Sequence, residues 1–367
     1  MKLACTKKLL DYLGIKAEKM QDEVDPFFGW SANLTIINRR KTLVVAHTAS
    51  RCGFVLHGLK LKDLRRLPEL ILDDVRRMLE SEYVRPEIIE QYLEELGQEV
   101  AFFANTSRKA IANCNKVCER VKFFADLLDP DTLFQKDILL WLNSEVLPNA
   151  KYCYAHEVLI GLLQERYGEN IVSCRALELE VSLDLHTPCK RRIVVPDNFT
   201  FDVLHQVLQK CFAWEDCHLH HFIIETDAGG FLTKIIQPAW DEVENIPDVE
   251  TLYSEKVTLK EVFSEKKEIF YEYDFGDEWL HTIRLRNVIE DCPMPYPRCI
   301  LAEGDPPMED CGGPWGYAHI MEVLKDKNHP EYHEIAMWAG DLSRYKLDMR
   351  EINYAIRYVH RSGNVVW

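Results

Sequence analysis

The alternation of apolar and polar residues is clearest in the second half of the chain. Leucine and valine occupy every second position over residues 177–185, with acidic or hydroxyl side chains between them. A period of two is typical of a β-strand with one buried and one exposed face. A returning strand is predicted over 191–195, then a helix capped by Thr200, then a strand over 219–225. This order predicts an α+β fold whose opening is similar to that of β-grasp domains.

The first part of the chain carries shorter patterns of the same two kinds. Apolar runs flank the polar turn at residues 38–41 and predict a β-hairpin. Helical spacing predicts helices over 61–79 and 87–96, each with a proline near its beginning. Two more helices are predicted over 133–147 and 155–167, where the pattern stays helical.

These patterns divide the chain into three parts. We expect an N-terminal α+β domain over residues 1–125, a helical connector over 126–176 and a C-terminal α+β domain over 177–367. The C-terminal domain should contain a mixed or antiparallel sheet with packed helices. A length of 367 residues is enough for two or three separate cores.

Composition narrows the compartment and the partners. The net charge of -16 repels a phosphate backbone, so nucleic acid is disfavoured as a partner, and no apolar run is long enough to span a membrane. Twelve scattered cysteines without the spacing of a secreted disulfide scaffold favour a reducing cytoplasm. An acidic protein of this kind favours a cationic partner or a divalent metal ion.

The stretch YDFGDEWLH, residues 273–281, predicts a turn between two antiparallel strands. If the second strand begins at Trp279, then His281 shares its apolar face. A buried histidine needs hydrogen-bond partners, and Asp274 and Asp277 are the expected ones. This structural role is favoured for His281 over a role as ligand or base, and a core position is favoured for Trp279.

The stretch EDCGGPWGY, residues 309–317, combines Glu309 and Asp310 with a pair of glycines. Gly312 and Gly313 predict a tight turn before a helix over about 318–325. Exposed amides at a helix start can bind an anion, but a structural turn is the favoured interpretation.

A metal site is the alternative interpretation of these stretches. The chain has no CxxC pair, which is the spacing that indicates a structural zinc site most strongly. His218 and His220 would share one strand face with Glu225 further along, although half-exposed strand residues are the simpler interpretation. The residues considered as ligands of a divalent ion such as zinc are Asp274, His281, Cys299, Cys311, His218 and His220.

Three signatures of common enzyme classes are absent from the sequence. It contains no phosphate-binding P-loop, no GxGxxG after a strand and no GxSxG nucleophile elbow. Nucleotide hydrolysis, the usual dinucleotide site and α/β-hydrolase chemistry are therefore disfavoured.

Several motifs follow one another in a fixed order from residue 177 to about 355. They are Trp214-Glu-Asp216, His218 with His220-His-Phe222, Tyr273-Asp-Phe-Gly-Asp277, Trp279 with His281, Tyr296-Pro-Arg-Cys299, and Glu309-Asp-Cys-Gly-Gly313 with Gly316-Tyr317. In these motifs the chain resembles the plasmid pRiA4b ORF-3-like family, some of whose members are labelled transposon passenger proteins. The resemblance implies an α+β domain without a known activity and a link with mobile elements. Where the family often has Cys-Pro-Pro-Glu-Asp, this chain has an aspartate first and one inserted residue, over 305–310.

The first 116 residues resemble a second, small uncharacterised bacterial domain. The motifs are Cys5-Thr-Lys-Lys-Leu-Leu10, Trp30 with Ala32-Asn33, Asn38-Arg-Arg-Lys41 and Thr106-Ser-Arg108. This resemblance also implies no activity.

We therefore expect a binding or accessory protein that recognises a protein or a small ligand where the two stretches meet. The expected surface consists of Asp274, Asp277, Trp279, His281, Glu309, Asp310, Gly312, Gly313 and Tyr317. The first alternative is a metal-dependent hydrolase in which the carboxylates hold the ion and His281 moves protons. The second is a DNA-associated regulatory protein, which would need a basic face.

Overall fold

The computed structural model describes residues 1–19, 24–147, 154–225, 232–236 and 249–362. The chain divides into two compact units, Met1–Ser173 and Cys174–Trp367. Each unit combines helices with one β-sheet, so the expected α+β class is confirmed. No helix in the described part of the chain has both the length and the hydropathy that a membrane crossing requires.

The first unit is a five-stranded sheet with helices packed on it. Its strands lie in the order β4-β3-β2-β1-β5, and β1 runs parallel to both of its neighbours. The predicted hairpin is confirmed, with Asn38 and Arg39 at positive φ between β2 and β3. The elements are β1 (Lys2–Cys5), α1 (Lys7–Leu13), β2 (Trp30–Ile37), β3 (Arg40–His47), β4 (Gly53–His57), α2 (Leu67–Ser81), α3 (Pro86–Leu96), β5 (Ala101–Ala104), α4 (Arg108–Phe123), α5 (Leu139–Leu142) and α6 (Ala155–Tyr167).

The segment expected as a connector lies within the first unit as far as Ser173. Leu159 and Leu163 of α6 are buried in the core of that unit, so this helix is part of the domain. The helix expected over 133–147 is reduced to the four residues of α5. Its beginning is extended instead, because Phe134 forms a β-bridge with Leu56 of β4.

The second unit contains an eight-stranded sheet in the order β10-β9-β8-β11-β12-β6-β7-β13. All neighbouring pairs are antiparallel except β9 and β10, so the sheet is mixed, as expected. The elements are β6 (Cys174–Leu183), β7 (Cys189–Pro196), α7 (Phe201–Cys211), β8 (His220–Glu225), β9 (Leu232–Ile236), β10 (Val249–Tyr253), α8 (Leu259–Phe263), β11 (Glu268–Tyr273), β12 (Trp279–Cys292), β13 (Arg298–Glu303), α9 (Gly313–Val323), α10 (Tyr332–Ala339), α11 (Met349–Ile356) and α12 (Val359–Ser362).

Helix α7 packs across one face of this sheet. The side chain of Thr200 accepts a hydrogen bond from the Val203 amide and caps the helix as predicted. Leu204 and Leu208 are fully buried against the inward-facing residues of β6, which alternate buried and half-buried positions. This packing places the aromatic residues of β11 and β12 under the helix.

The edge strand β13 is covered by α11. The Oδ1 atom of Asn353 accepts a hydrogen bond from the Cys299 amide at 2.9 Å, and its Nδ2 atom donates to the Cys299 carbonyl at 2.9 Å. One side chain therefore satisfies both backbone groups of a strand residue that face away from β7.

Candidate functional site

The first of the two stretches forms a turn closed by its own side chain. Asp274 lies between β11 and β12 at positive φ, and its Oδ1 atom accepts hydrogen bonds from the amides of Gly276 at 3.0 Å and Asp277 at 3.4 Å. The Glu278 amide donates to the Asp274 carbonyl at 2.7 Å. Such side-chain bonds to nearby amides favour turns, which explains the aspartate at this position.

The second stretch packs directly on the first. The Gly312 amide donates to Oδ2 of Asp277 at 3.2 Å. The backbone of Gly313 lies so close that an added Cβ would be 2.2 Å from the Asp277 carbonyl oxygen. Both glycines have positive φ, which other residues adopt at a cost. We call the contact between residues 273–281 and 309–317 the junction.

Three ionisable side chains meet at the surface of the junction, and we call them the outer cluster. The Nε2 atom of His218 lies 3.6 Å from Oδ2 of Asp274 and 3.2 Å from Oδ1 of Asp310. This nitrogen is buried, yet it forms a hydrogen bond with neither oxygen. The side chain of Asp310 is 71% exposed, so the cluster is open to solvent. The three groups lie close enough together to hold one metal ion.

Glu309 anchors the base of the junction. Its Oε1 atom accepts a hydrogen bond from the Tyr273 hydroxyl at 2.6 Å, and its Oε2 atom accepts one from the Glu215 amide at 2.9 Å. Burial and then this carboxylate raise the pKa of Tyr273 well above its ordinary value. Burial and then Glu309 also raise the pKa of the Cys217 thiol, whose Sγ atom is 3.7 Å from Oε1. Cys217 is therefore a protonated thiol near neutral pH, unlike an activated nucleophile.

A second group, the inner cluster, consists of His205 on α7, Asp216 in the following loop and His220 at the start of β8. The rings of His205 and His220 are stacked, with centroids 3.4 Å apart and planes 6° from parallel. The Nε2 atom of His205 is 2.7 Å from Oδ1 of Asp216. Burial first, and then His205, lowers the pKa of His220 to about 2. His205 is therefore hydrogen-bonded within a buried polar network, whereas His220 is stacked on it without a hydrogen bond of its own.

Comparison with known proteins relates both units to families. Residues 175–354 match the model described as plasmid pRiA4b ORF-3-like protein, and residues 2–158 match a domain of unknown function, DUF6933. The chain is 30% identical over 189 residues to the uncharacterized protein y4hQ of Sinorhizobium fredii, in a match that spans 49% of this chain and 90% of y4hQ. The chain belongs to the plasmid pRiA4b ORF-3-like family. Both expected resemblances are thereby confirmed.

A solved structure is also similar to part of this chain. It is the protein of unknown function MM3350 from Methanosarcina mazei Go1, which is 34% identical and has a TM-score of 0.42. The match covers 48% of this chain and 96% of that chain.

His281 of the pRiA4b ORF-3-like unit lies in the core, as expected, but its partners differ from the expected ones. Its Nδ1 atom contacts the carbonyl oxygens of Trp279 at 3.0 Å and Tyr271 at 3.3 Å, and neither aspartate of the turn is its partner. The ring is fully buried, and burial lowers its pKa to about 3. A role in moving protons at the surface therefore does not fit His281. Trp279 is equally buried beside it.

The residues considered as metal ligands do not form one group. His218 and Asp274 meet in the outer cluster, whereas His220 belongs to the inner cluster. Cys299 lies on β13, where its thiol contacts the Leu301 carbonyl. Cys311 is buried, and its thiol contacts the Gly313 carbonyl at 4.0 Å.

The pairing of His218 and His220 on one strand face is also wrong. Strand β8 begins at His220, so His218 precedes it, and Glu225 ends the strand as an exposed residue. The half-buried Tyr317 lies in α9, which begins at Gly313 and thus five residues before the expected start at 318.

Two residues of the inner cluster, His205 and Asp216, are not among the ligands that the sequence predicts. A signal for His205 existed, because it follows Phe201 by four residues and precedes Leu208 by three, on the buried stripe of α7. A polar residue within such a stripe indicates a buried contact. The position of Asp216 depends on a loop conformation with φ of 59°, for which the pattern gave no signal.

Proposed function

We propose that the second unit is a binding module that recognises a positively charged side chain of a protein partner beside the junction. The observation that carries this proposal is an open cavity of ≈ 310 Å³ next to the outer cluster. It is lined by Asp310, Cys311, Ile320, Glu331, Glu334, Ile335 and Trp338.

The residues that line the cavity suit both the charged end and the aliphatic part of a lysine or arginine side chain. Its three carboxylates can accept charge-assisted hydrogen bonds, while Ile320 and Ile335 can pack on the aliphatic part of the side chain. Trp338 is 51% exposed, so its ring face is available for a cation–π contact. Among the described residues, no lysine or arginine lines the cavity.

Neighbouring features also favour a protein partner. Glu331 lies 3.1 Å from His319 and Asp310 lies 3.2 Å from His218, and a lysine or arginine side chain can replace histidine at both carboxylates. Helix α10 also exposes Met337, which is 85% accessible and adds apolar area for contact. The net charge of -16 attracts a basic partner over a distance.

The test is calorimetric titration of the full chain with the peptide acetyl-Gly-Arg-Gly-Arg-Gly-amide, against the same peptide with citrulline in place of arginine. We expect binding of the arginine peptide only, weakened about tenfold by Glu334→Gln or Trp338→Ala, because each removes one contact of the cation. The matched control is Glu265→Gln, which removes an exposed carboxylate after α8. Equal binding of both peptides, or an unchanged affinity in Glu334→Gln, would contradict the proposal.

Metal-dependent hydrolysis at the outer cluster is the second candidate. It is favoured by the buried His218 Nε2 atom, which faces two carboxylates without a hydrogen bond. In this case Asp274, Asp310 and His218 would hold the ion and activate a water molecule. Asp277 and Glu309 would act indirectly, because their carboxylates already accept hydrogen bonds within the junction.

Elemental analysis of protein purified without a tag or chelator tests this second candidate. We expect a near-stoichiometric divalent metal that is lost in Asp310→Asn, together with metal-dependent cleavage of bis(p-nitrophenyl) phosphate or p-nitrophenyl acetate. Metal retained in full by Asp310→Asn and Asp274→Asn, or the absence of metal from the native protein, would exclude the outer cluster as its site.

A further inference from the structure

We propose that the inner cluster of His205, Asp216 and His220 is a zinc site. It uses none of the residues of the outer cluster. Each of the three residues offers one ligand atom, and these atoms lie within 4.8 Å of one another. Two imidazoles and one carboxylate are a ligand set that zinc accepts, with a fourth position left for water.

An independent observation at His220 points to a missing ligand. This side chain is 2% exposed, and neither of its ring nitrogens has a hydrogen-bond partner among the described residues. A buried polar group without a partner costs free energy, and native structures contain few of them. A bond to a metal ion would satisfy one of these nitrogens.

His205 already has the support that a metal-binding histidine requires. Its Nδ1 atom is 2.8 Å from the Tyr271 hydroxyl, which also accepts a hydrogen bond from Nε2 of Gln209 at 3.1 Å. A partner on one ring nitrogen fixes the orientation of the ring and leaves the other nitrogen for the metal. The Nε2 atom of His205 is therefore aimed at the cluster by Tyr271.

Asp216 is held in a similar way. Its Oδ2 atom accepts a hydrogen bond from Gln206 at 3.0 Å, and its amide donates to Gln209 at 3.0 Å. This arrangement leaves Oδ1 for the cluster, where it now lies 2.7 Å from His205. A zinc ion bound there would displace the proton that the two groups share. The Asp216 side chain is 33% exposed and offers the ion a path from solvent.

The stacked rings determine which residue must move. One ion cannot lie in the planes of two parallel rings 3.4 Å apart, so one imidazole has to turn about its χ2 bond. His205 is fixed by Tyr271 and Asp216, whereas His220 has no hydrogen bond to lose. His220 is therefore the ring that turns toward the ion.

The experiment is a competition titration of the metal-free full chain with Zn²⁺ in the presence of a chromogenic chelator. We expect one site that survives His218→Ala, which removes the outer cluster. His220→Phe keeps an aromatic ring on His205 and removes both nitrogens, and it should weaken binding at this site by more than about 100-fold. Tyr271→Phe, which removes only the hydroxyl that orients the His205 ring, should weaken zinc binding by about 10- to 100-fold.

The matched control is His221→Gln, because His221 points to the opposite face of the same strand and pairs with Glu272. Asp216→Ala provides a second ligand variant at a partly exposed position, should a core variant fail to fold. In the native protein, Zn²⁺ should also shift the proton resonances of the His220 ring, because it leaves its stack on His205.

Three results would overturn the proposal. They are the absence of a site in the native protein, a site lost in His218→Ala but kept in His220→Phe, and a site kept in Asp216→Ala at native affinity. Binding of the arginine peptide should be unchanged in His220→Phe, so the zinc site and the peptide site can fail separately.

Discussion

The outer and inner clusters both take residues from one five-residue segment of the chain, but they are built differently. In the segment 216–220, Asp216 and His220 contribute to the inner cluster and His218 to the outer one. The outer cluster lies on turns, and Asp310 is largely exposed to water. The inner cluster is carried by α7 and β8, and both of its histidines are buried.

This difference in burial determines how strongly the geometry of each cluster indicates a bound ligand. Exposed charges are screened and hydrated, so their proximity costs little and indicates little about a ligand. A buried polar group must be paired or it destabilises the fold. The unpaired nitrogens of His220 are therefore more informative than the crowded carboxylates of the outer cluster.

The largest expected effect tests whether backbone packing alone positions the outer cluster. Gly313→Ala would introduce a Cβ 2.2 Å from the Asp277 carbonyl oxygen, at a φ of 66°. We expect a loss of about 3 kcal/mol or more in the free energy of unfolding, from backbone strain and overpacking together. Gly312→Ala, also at positive φ but with its Cβ in ordinary contact at 3.6 Å from the Gly316 Cα atom, should lose only about 1 kcal/mol. Urea unfolding measures both, and equal losses would refute the packing argument.

A smaller effect concerns the inner cluster and acid. The pKa of His220 is lowered to about 2 by burial, against 6.5 in the unfolded chain. The unfolded state then binds more protons below pH 6.5, so this residue reduces stability as the pH falls. Between pH 7.5 and 5 the loss is about 2 kcal/mol, and His220→Phe should remove it. Urea unfolding of both proteins at pH 7.5 and pH 5 measures this difference. The native protein should lose about 2 kcal/mol more than His220→Phe between the two pH values. Equal losses in the two proteins would mean that His220 is not the cause.

The smallest effect separates two members of the outer cluster. Asp274→Ala removes the acceptor of the Gly276 and Asp277 amides and should cost about 1 kcal/mol, as the loss of a cap does. Asp310→Ala should change stability by less than about 0.5 kcal/mol, because its side chain is exposed. Thermal unfolding at neutral pH compares them, and Asp274→Asn, which keeps an oxygen acceptor, serves as the control. A larger loss in Asp310→Ala would reverse this ranking.

Local patterns predicted those parts of the fold that local physics determines. The alternation in β6, the Thr200 cap and the turn after Tyr273 each depend on a few neighbouring residues. The earlier start of α9 had a local signal too, because Pro314 suits the first turn of a helix. The apolar residues of α6 could not reveal which core they enter, since periodicity gives a buried face but no neighbour.

The candidate site was less predictable because it depends on contacts between distant segments. The sequence suggested the meeting of the two stretches, but the contact of Gly313 with Asp277 spans 36 residues and depends on backbone geometry. The partners of His281 are carbonyl groups, which every residue has and no sequence pattern identifies. The stacking of His205 on His220 likewise follows from the packing of α7 on the sheet.

Asn353 has a consequence for how copies of this protein behave at high concentration. Edge strands can recruit a strand from another molecule through their free amides and carbonyls. On β13, which also exposes Ile300 and Leu301, Asn353 occupies the amide and the carbonyl of Cys299. A single amide side chain thus imitates the next strand of the sheet and ends it, so this residue protects the protein against aggregation at that edge.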